Sequence, residues 1–288
     1  MKKGLIAVQM MVLKKQVEEL GAYETLRKLH DLGFHAIELS QIPMTEENVS
    51  EIKRACEDFD IEVIAMSAAL EGPNENLTDN FDKIVEDMKT LDCRTLRVGM
   101  LPIPYMVSRE KALDFVARME EKAEALEPYG ISLHYHNHHI EFTKYDGQYL
   151  LDLIRENTKK IGFELDVYWI QRGGENPVSY TAKFKDRVKL YHLKDYRIAQ
   201  LTLPEEDPEL SAEEKARRWN EHYYGVIQFA ELGKGNLDWK KIMKAGQDAG
   251  AEYFIIEQDD TYGRDPFESL DMSASYLREI GYEDWFTR

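Results

Sequence analysis

The sequence predicts an α/β fold: a single-domain (β/α)8, or TIM, barrel spanning residues 1–288. Three observations carry that expectation. Short apolar runs alternate with longer amphipathic ones, eight such units can be counted, and no GxGxxG turn follows the first run. An open doubly wound sheet, the main rival, would usually show that turn. One barrel of this type takes about 250 residues.

The strand candidates are 4–10, 36–40, 62–68, 95–100, 131–136, 162–167, 188–194 and 253–258. Most are continuous apolar runs, as expected for parallel strands covered by helices. Between them, Leu26, Leu29 and Leu32 recur at helical spacing and Gly33 supplies a stop. Phe81, Ile84, Val85 and Met88 keep the i, i+3, i+4, i+7 pattern, with Thr78 or Asn80 as cap. Ser108 is the expected cap of a helix running to Leu126, closed by Pro128 and Gly130. Further helices fit 148–157, 239–248 and 266–279. Residues 197–230 break the rhythm, with two prolines and then a charged helix candidate at 211–222. They read as an insertion on the rim between strands seven and eight, either covering the site or running through solvent.

The formal charge of −17 excludes a surface built for nucleic acid or anionic membranes, both of which require clustered Lys and Arg. Cys56 and Cys93 form no CxxC pair and suit a reducing cytoplasm. The basic, briefly apolar start is broken by Gln9, Lys14 and Lys15, so a first strand is expected there rather than a signal peptide. No run of about 18 apolar residues predicts a membrane span. A homo-oligomer remains open.

In a barrel of this kind, chemistry sits at the C-terminal strand ends. The fifth candidate ends in the histidine-rich LHYHNHHIEF (133–142), which holds four of the chain's eight histidines. His136, Asn137 and His138 close the strand, and Glu141 follows. The sixth carries Asp166, then Trp169 and Arg172; the seventh places His192 and Lys194; the eighth ends in Glu257 and Gln258. Each residue alone has a plainer explanation. Asp166 could pair with Arg172 or Lys194, His192 could bond a backbone carbonyl, and Glu257 could cap the rim. Acids buried in such apolar runs need compensation, and a divalent cation supplies it. One His with three carboxylates suits Mn²⁺ above all, with Mg²⁺, Co²⁺ or Zn²⁺ also compatible. His134 is expected to face the helix layer, His139 is ambiguous, and His30 and His35 belong to a helix and its loop. Gly233 and Gly235 of ELGKGNLDW mark either a backbone approach to the site or a simple loop.

YHNHHIEF, ELDVYWIQRGGENP, YHLKDY, GKGNLDW and EYFIIEQ, in that order, resemble the sugar phosphate isomerase/epimerase group with the xylose isomerase-like barrel, in an HNH-bearing branch. The resemblance implies one divalent metal held by Glu141, Asp166, His192 and Glu257. It departs at the first ligand: many members close strand five with Glu, whereas this chain has His136-Asn137-His138. Either Glu141 binds from the loop, or His136 or His138 takes that place; we assign Glu141 to the metal and His138 to the base, with His136 as a second base candidate. The implied reaction is isomerisation or epimerisation of a keto-sugar or related polyol through an enediolate. The HNH branch adds a lyase or dehydratase of a 3-keto-sugar, keto-glycoside or inosose as alternative, and a non-catalytic sugar-binding barrel is the remote one. Lys194 is the candidate donor to an alkoxide. Trp169, Arg172, Asn137 and Trp219 are candidate carbohydrate contacts, as are Tyr223 and Tyr224. No phosphate cradle is visible. An HNH or abasic-site nuclease would need a basic DNA face, which the charge denies.

Overall fold

The computed structural model describes residues 3–202 and 207–288, so Pro204 of the expected insertion lies outside the described residues. All eight strand candidates form parallel strands of one closed barrel. They are β1 (Leu5–Gln9), β2 (Ala36–Leu39), β3 (Glu62–Ser67), β4 (Thr95–Val98), β5 (Ser132–His136), β6 (Gly162–Asp166), β7 (Val188–Leu193) and β8 (Tyr253–Ile256). Closure comes from β8 pairing with β1, Leu5 opposite Tyr253 through Val8 opposite Ile256.

The two-residue period of the strands sorts side chains into two layers. Ile6 and Val8 join the large core between strands and helices. Leu5 and Ala7 join a smaller cluster with Ala36, Ile64, Ala65, Leu190 and Ile255, which fills the lower barrel interior. Two residues further along the same faces the interior turns polar. Ala7 leads to Gln9, Ala36 to Glu38, Leu190 to His192 and Ile255 to Glu257, all buried. A barrel interior is a packed core, so these polar groups must satisfy one another or a ligand.

His134 corrects one expectation. Leu133 and Tyr135 take the helix side, so His134 shares the inner face with His136. Its ring covers Gly162, where a Cβ would run into it. Ser108 caps the helix Arg109–Leu126, accepting the Lys111 N–H. Neither Thr78 nor Asn80 caps the helix Phe81–Thr90 through its side chain. The Thr78 hydroxyl binds the Leu70 carbonyl, and the Asn80 side chain accepts the Asn76 N–H.

The insertion after β7 begins as an antiparallel ribbon, Asp195–Ile198 against Ile227–Ala230. It carries the helix Ala212–Tyr224, started by a Ser211–Glu214 capping box and without a buried residue. Asp195 staples the loop of Gly233 and Gly235. It accepts the Trp239 indole N–H at 2.7 Å and the backbone N–H groups of Tyr196, Gly233 and Leu237. A Cβ at Gly235 would strike this carboxylate, so that glycine serves Asp195.

Candidate metal centre

The ends of β5 to β8 bring four side chains to one point. Ligand atoms of His136, Asp166, His192 and Glu257 lie within 4.8 Å of one another, and all four residues are buried. Atoms bound about 2.0–2.2 Å from one cation lie roughly 3–4.5 Å apart, so the group has the size of a single ion site.

Neighbouring groups aim each side chain. Asp166 is the N-cap of the helix Val167–Arg172, and its Oδ1 accepts the Trp169 N–H at 3.0 Å. Its Oδ2 is buried with no hydrogen-bond partner. His136 Nδ1 lies 3.2 Å from the Gly99 carbonyl, which places the ring proton there. That leaves His136 Nε2 as a buried lone pair without a partner, 3.7 Å from Asp166 Oδ2. A buried acceptor left without a hydrogen bond costs about 1–3 kcal/mol, and here His136 Nε2 faces a carboxylate oxygen whose nearest cation, Lys194 Nζ, is 3.5 Å away. A divalent cation satisfies both, so the residues present fit one. Asn137 holds the two strand ends together, its side-chain oxygen accepting the Asp166 N–H at 3.0 Å.

His192 arrives from β7, with Nδ1 2.6 Å from Glu257 and 4.0 Å from Asp166. Burial opposes charge on this ring, but Glu164, Glu257 and Glu38 outweigh it and raise its pKa well above the usual value. Lys194 Nζ lies 3.2 Å from Glu257, 3.5 Å from Asp166 and 2.9 Å from Asp259. Burial likewise opposes its charge, and Glu257 and Asp166 hold it protonated. Burial pushes the Asp166 carboxyl up. At Glu257 burial is overcome by His192 and Lys194, which keep the carboxyl well below its usual range. Gln9 reaches Glu257 from β1 at 3.2 Å.

Of the four expected ligands, Asp166, His192 and Glu257 converge, and Glu141 stands apart from them. Its oxygens are committed to closing the turn after β5: one accepts the Tyr135 hydroxyl at 2.6 Å, the other the His138 N–H at 2.8 Å. His136 occupies the fourth place instead. The His138 ring lies 4.7 Å from that of His136 and 5.4 Å from Trp169, and its Nδ1 is buried without a partner. Burial pulls its pKa down to about 4, so it is a neutral imidazole at pH 7. The Trp169 indole N–H is also unpartnered. Trp169 and Phe229 of the ribbon flank Lys194 at 5.1 and 5.5 Å, and His139 lies 5.0 Å from Trp169. Arg172 is exposed at the C-terminal end of the helix that follows β6, and Trp219 is 46% exposed on the insertion helix. Glu38, Arg97 and Glu164, all buried near His192, escaped the sequence reading.

The sequence profile described as xylose isomerase-like TIM barrel matches residues 26–286. The chain belongs to that family. Solved structures agree on the fold of this family member. A sugar phosphate isomerase/epimerase from Parabacteroides distasonis is 20% identical, with a TM-score of 0.74 over 98% of this chain and 99% of that one. The IolI protein with a bound zinc atom is 15% identical, TM-score 0.66, covering 100% of both chains. The probable 3-DHS dehydratase AsbF from Bacillus anthracis is 14% identical, TM-score 0.65, covering 95% and 98%. Among curated proteins none matches in sequence.

Proposed function

We propose that this family member is a divalent-metal-dependent isomerase or epimerase acting on a keto-sugar or related polyol through an enediolate. The observation that carries the proposal is the pair of buried atoms without a hydrogen bond, His136 Nε2 and Asp166 Oδ2 (the latter 3.5 Å from the Lys194 ammonium), beside His192 and Glu257. A divalent cation held by these four side chains supplies Lewis acidity, which polarises a ketone and acidifies the neighbouring C–H. Two imidazoles and two carboxylates suit Mn²⁺, Co²⁺ or Zn²⁺ better than Mg²⁺.

The chain's own groups divide the remaining work. His138, neutral and with a free Nδ1, takes the α-proton. Lys194, anchored by Asp259 at 2.9 Å, donates a proton to an alkoxide. Trp169 and Phe229 offer an apolar wall to the C–H face of a sugar, and the Trp169 N–H is a donor for a hydroxyl. Returning the proton to the opposite face of the same carbon gives an epimer; returning it to the neighbouring carbon gives an isomer.

Lyase or dehydratase action on a 3-keto-sugar, keto-glycoside or inosose is the second reading. It is favoured by the unlike pair of one neutral base, His138, and one ammonium acid, Lys194, because loss of a β-substituent needs both. The deciding experiment incubates the metal-loaded protein with ketoses and 3-keto-glycosides in D₂O. Deuterium at the α-carbon without loss of water or aglycone supports the isomerase; release of either supports the lyase. Metal binding with no exchange at any carbon contradicts both and leaves a sugar-binding barrel.

A further inference from the structure

Two apolar patches flank the barrel mouth. Among the described residues twelve large apolar side chains are exposed, and ten of them lie in the segments that follow β4, β7 and β8. Those segments leave the C-terminal strand ends, so the ten stand on the face that holds the site. Met100, Ile103 and Val107 form the patch after β4, where residues 99–108 carry no charge. The other patch centres on the insertion helix Ala212–Tyr224, with Trp219, Tyr223 and Tyr224 exposed. Tyr262 of the loop after β8 joins it, its hydroxyl accepting the Phe229 N–H at 3.0 Å. β4 and β8 are four strands apart in the closed order, so the patches stand on opposite sides of the mouth.

The helix turns an apolar stripe away from its own barrel. Ala212, Ala216, Trp219 and Tyr223, spaced by four, three and four, are all exposed, whereas Arg218 and His222 on another side are partly buried. That spacing is the seam of a helix that packs on a partner. At roughly 200 Å² for each large side chain, exposures of 39–72% leave about 1,000 Å² open over the ten. A standard interface buries about 800 Å² per partner, and a sugar is too small to cover such an area. Charge selects the occupant. The chain carries −17, yet Glu213, Glu214 and Glu221 of the helix are balanced by Lys215, Arg217 and Arg218. Two copies repel one another across most of their acidic surface and can meet where it is neutral and apolar. A basic protein gains no attraction at these neutral patches.

We propose that two copies of this chain pair mouth to mouth, the insertion helix of each seated on the β4 loop of the other. A two-fold axis lying across the mouth makes both contacts at once, because it carries each patch onto the unlike one. Trp219 and Tyr223 then wall the β4 side of the other copy's mouth, across from Phe229 of that copy. The side toward β2 stays open to substrate. The pairing holds or fails apart from the metal reading above.

The test is sedimentation velocity of the parent chain and of two variants, one in each patch. At about 100 μM, where a micromolar Kd leaves little monomer, the parent is expected to run as a dimer. Val107→Glu and Tyr223→Arg should each give monomers with the circular dichroism of the parent. Mixing the two variants should restore the dimer. One of its two contacts then sets the new guanidinium against the new carboxylate, and the other is parental. If either variant does not fold, Ile103→Glu or Tyr224→Arg takes its place. A parent that stays monomeric overturns the proposal and leaves the patches to a different protein. A dimer indifferent to both substitutions also overturns it, because another face then holds the pair. Monomeric variants that stay monomeric when mixed overturn the pairing of unlike patches.

Discussion

His136 turns Nε2 toward Asp166 Oδ2, 3.7 Å away, because its Nδ1 is tied to the Gly99 carbonyl at 3.2 Å. The strand-end acids and imidazoles therefore form a buried cluster of His136, Asp166, His192 and Glu257 that could hold one metal ion. His136→Ala and Asp166→Asn should each abolish retention of a divalent ion through gel filtration, read by elemental analysis. Glu141→Gln should retain the ion and instead lose stability by about 1–3 kcal/mol, because the His138 N–H loses a charged acceptor.

His138→Ala should keep the ion and lose turnover by about 10²–10⁴-fold, the usual contribution of a positioned general base. The paired measurements are metal content and rate of α-deuterium exchange. Full exchange activity in this variant removes His138 from the role of base.

Cation removal should cost the fold as well as activity. A ligand that binds only the folded state adds about 2.7 kcal/mol at one hundred times its dissociation constant. Melting curves with and without chelator should differ by several degrees, and Asp166→Asn should abolish the difference.

The barrel interior has no room for a methyl group between β5 and β6. Gly162→Ala pushes a Cβ into the buried His134 ring and should cost about 1–3 kcal/mol in urea unfolding.

Both thiols should be inert in the native protein at pH 8. Burial raises Cys56 and Cys93 to about 12, so neither is a thiolate there. Labelling with a disulfide reagent before and after denaturation measures this.

The strands were legible because parallel strands under helices are continuous apolar runs, and each run ended where polarity returned. Asp166, His192 and Glu257 were legible for the same reason, as acids and an imidazole at the ends of apolar strands. Which of His136 and Glu141 stands beside them was not. It depends on how Ile140–Phe142 folds back to let Glu141 accept from Tyr135 and His138, which is turn geometry rather than strand pattern. Glu38 and Glu164 lay one inward period deeper than the strand ends, where attention to rims overlooks them. Alternation does expose them: Glu164 stands two residues before Asp166, as His134 does before His136, on the same face.

The most direct measurement is anomalous diffraction from crystals of the cobalt- or zinc-loaded protein. One strong peak within coordination distance of His136 Nε2, Asp166 Oδ2, His192 Nδ1 and Glu257, with Glu141 still bonded to Tyr135, is the predicted result. A peak on Glu141 that leaves His136 unligated, or no peak in the barrel mouth, would contradict it.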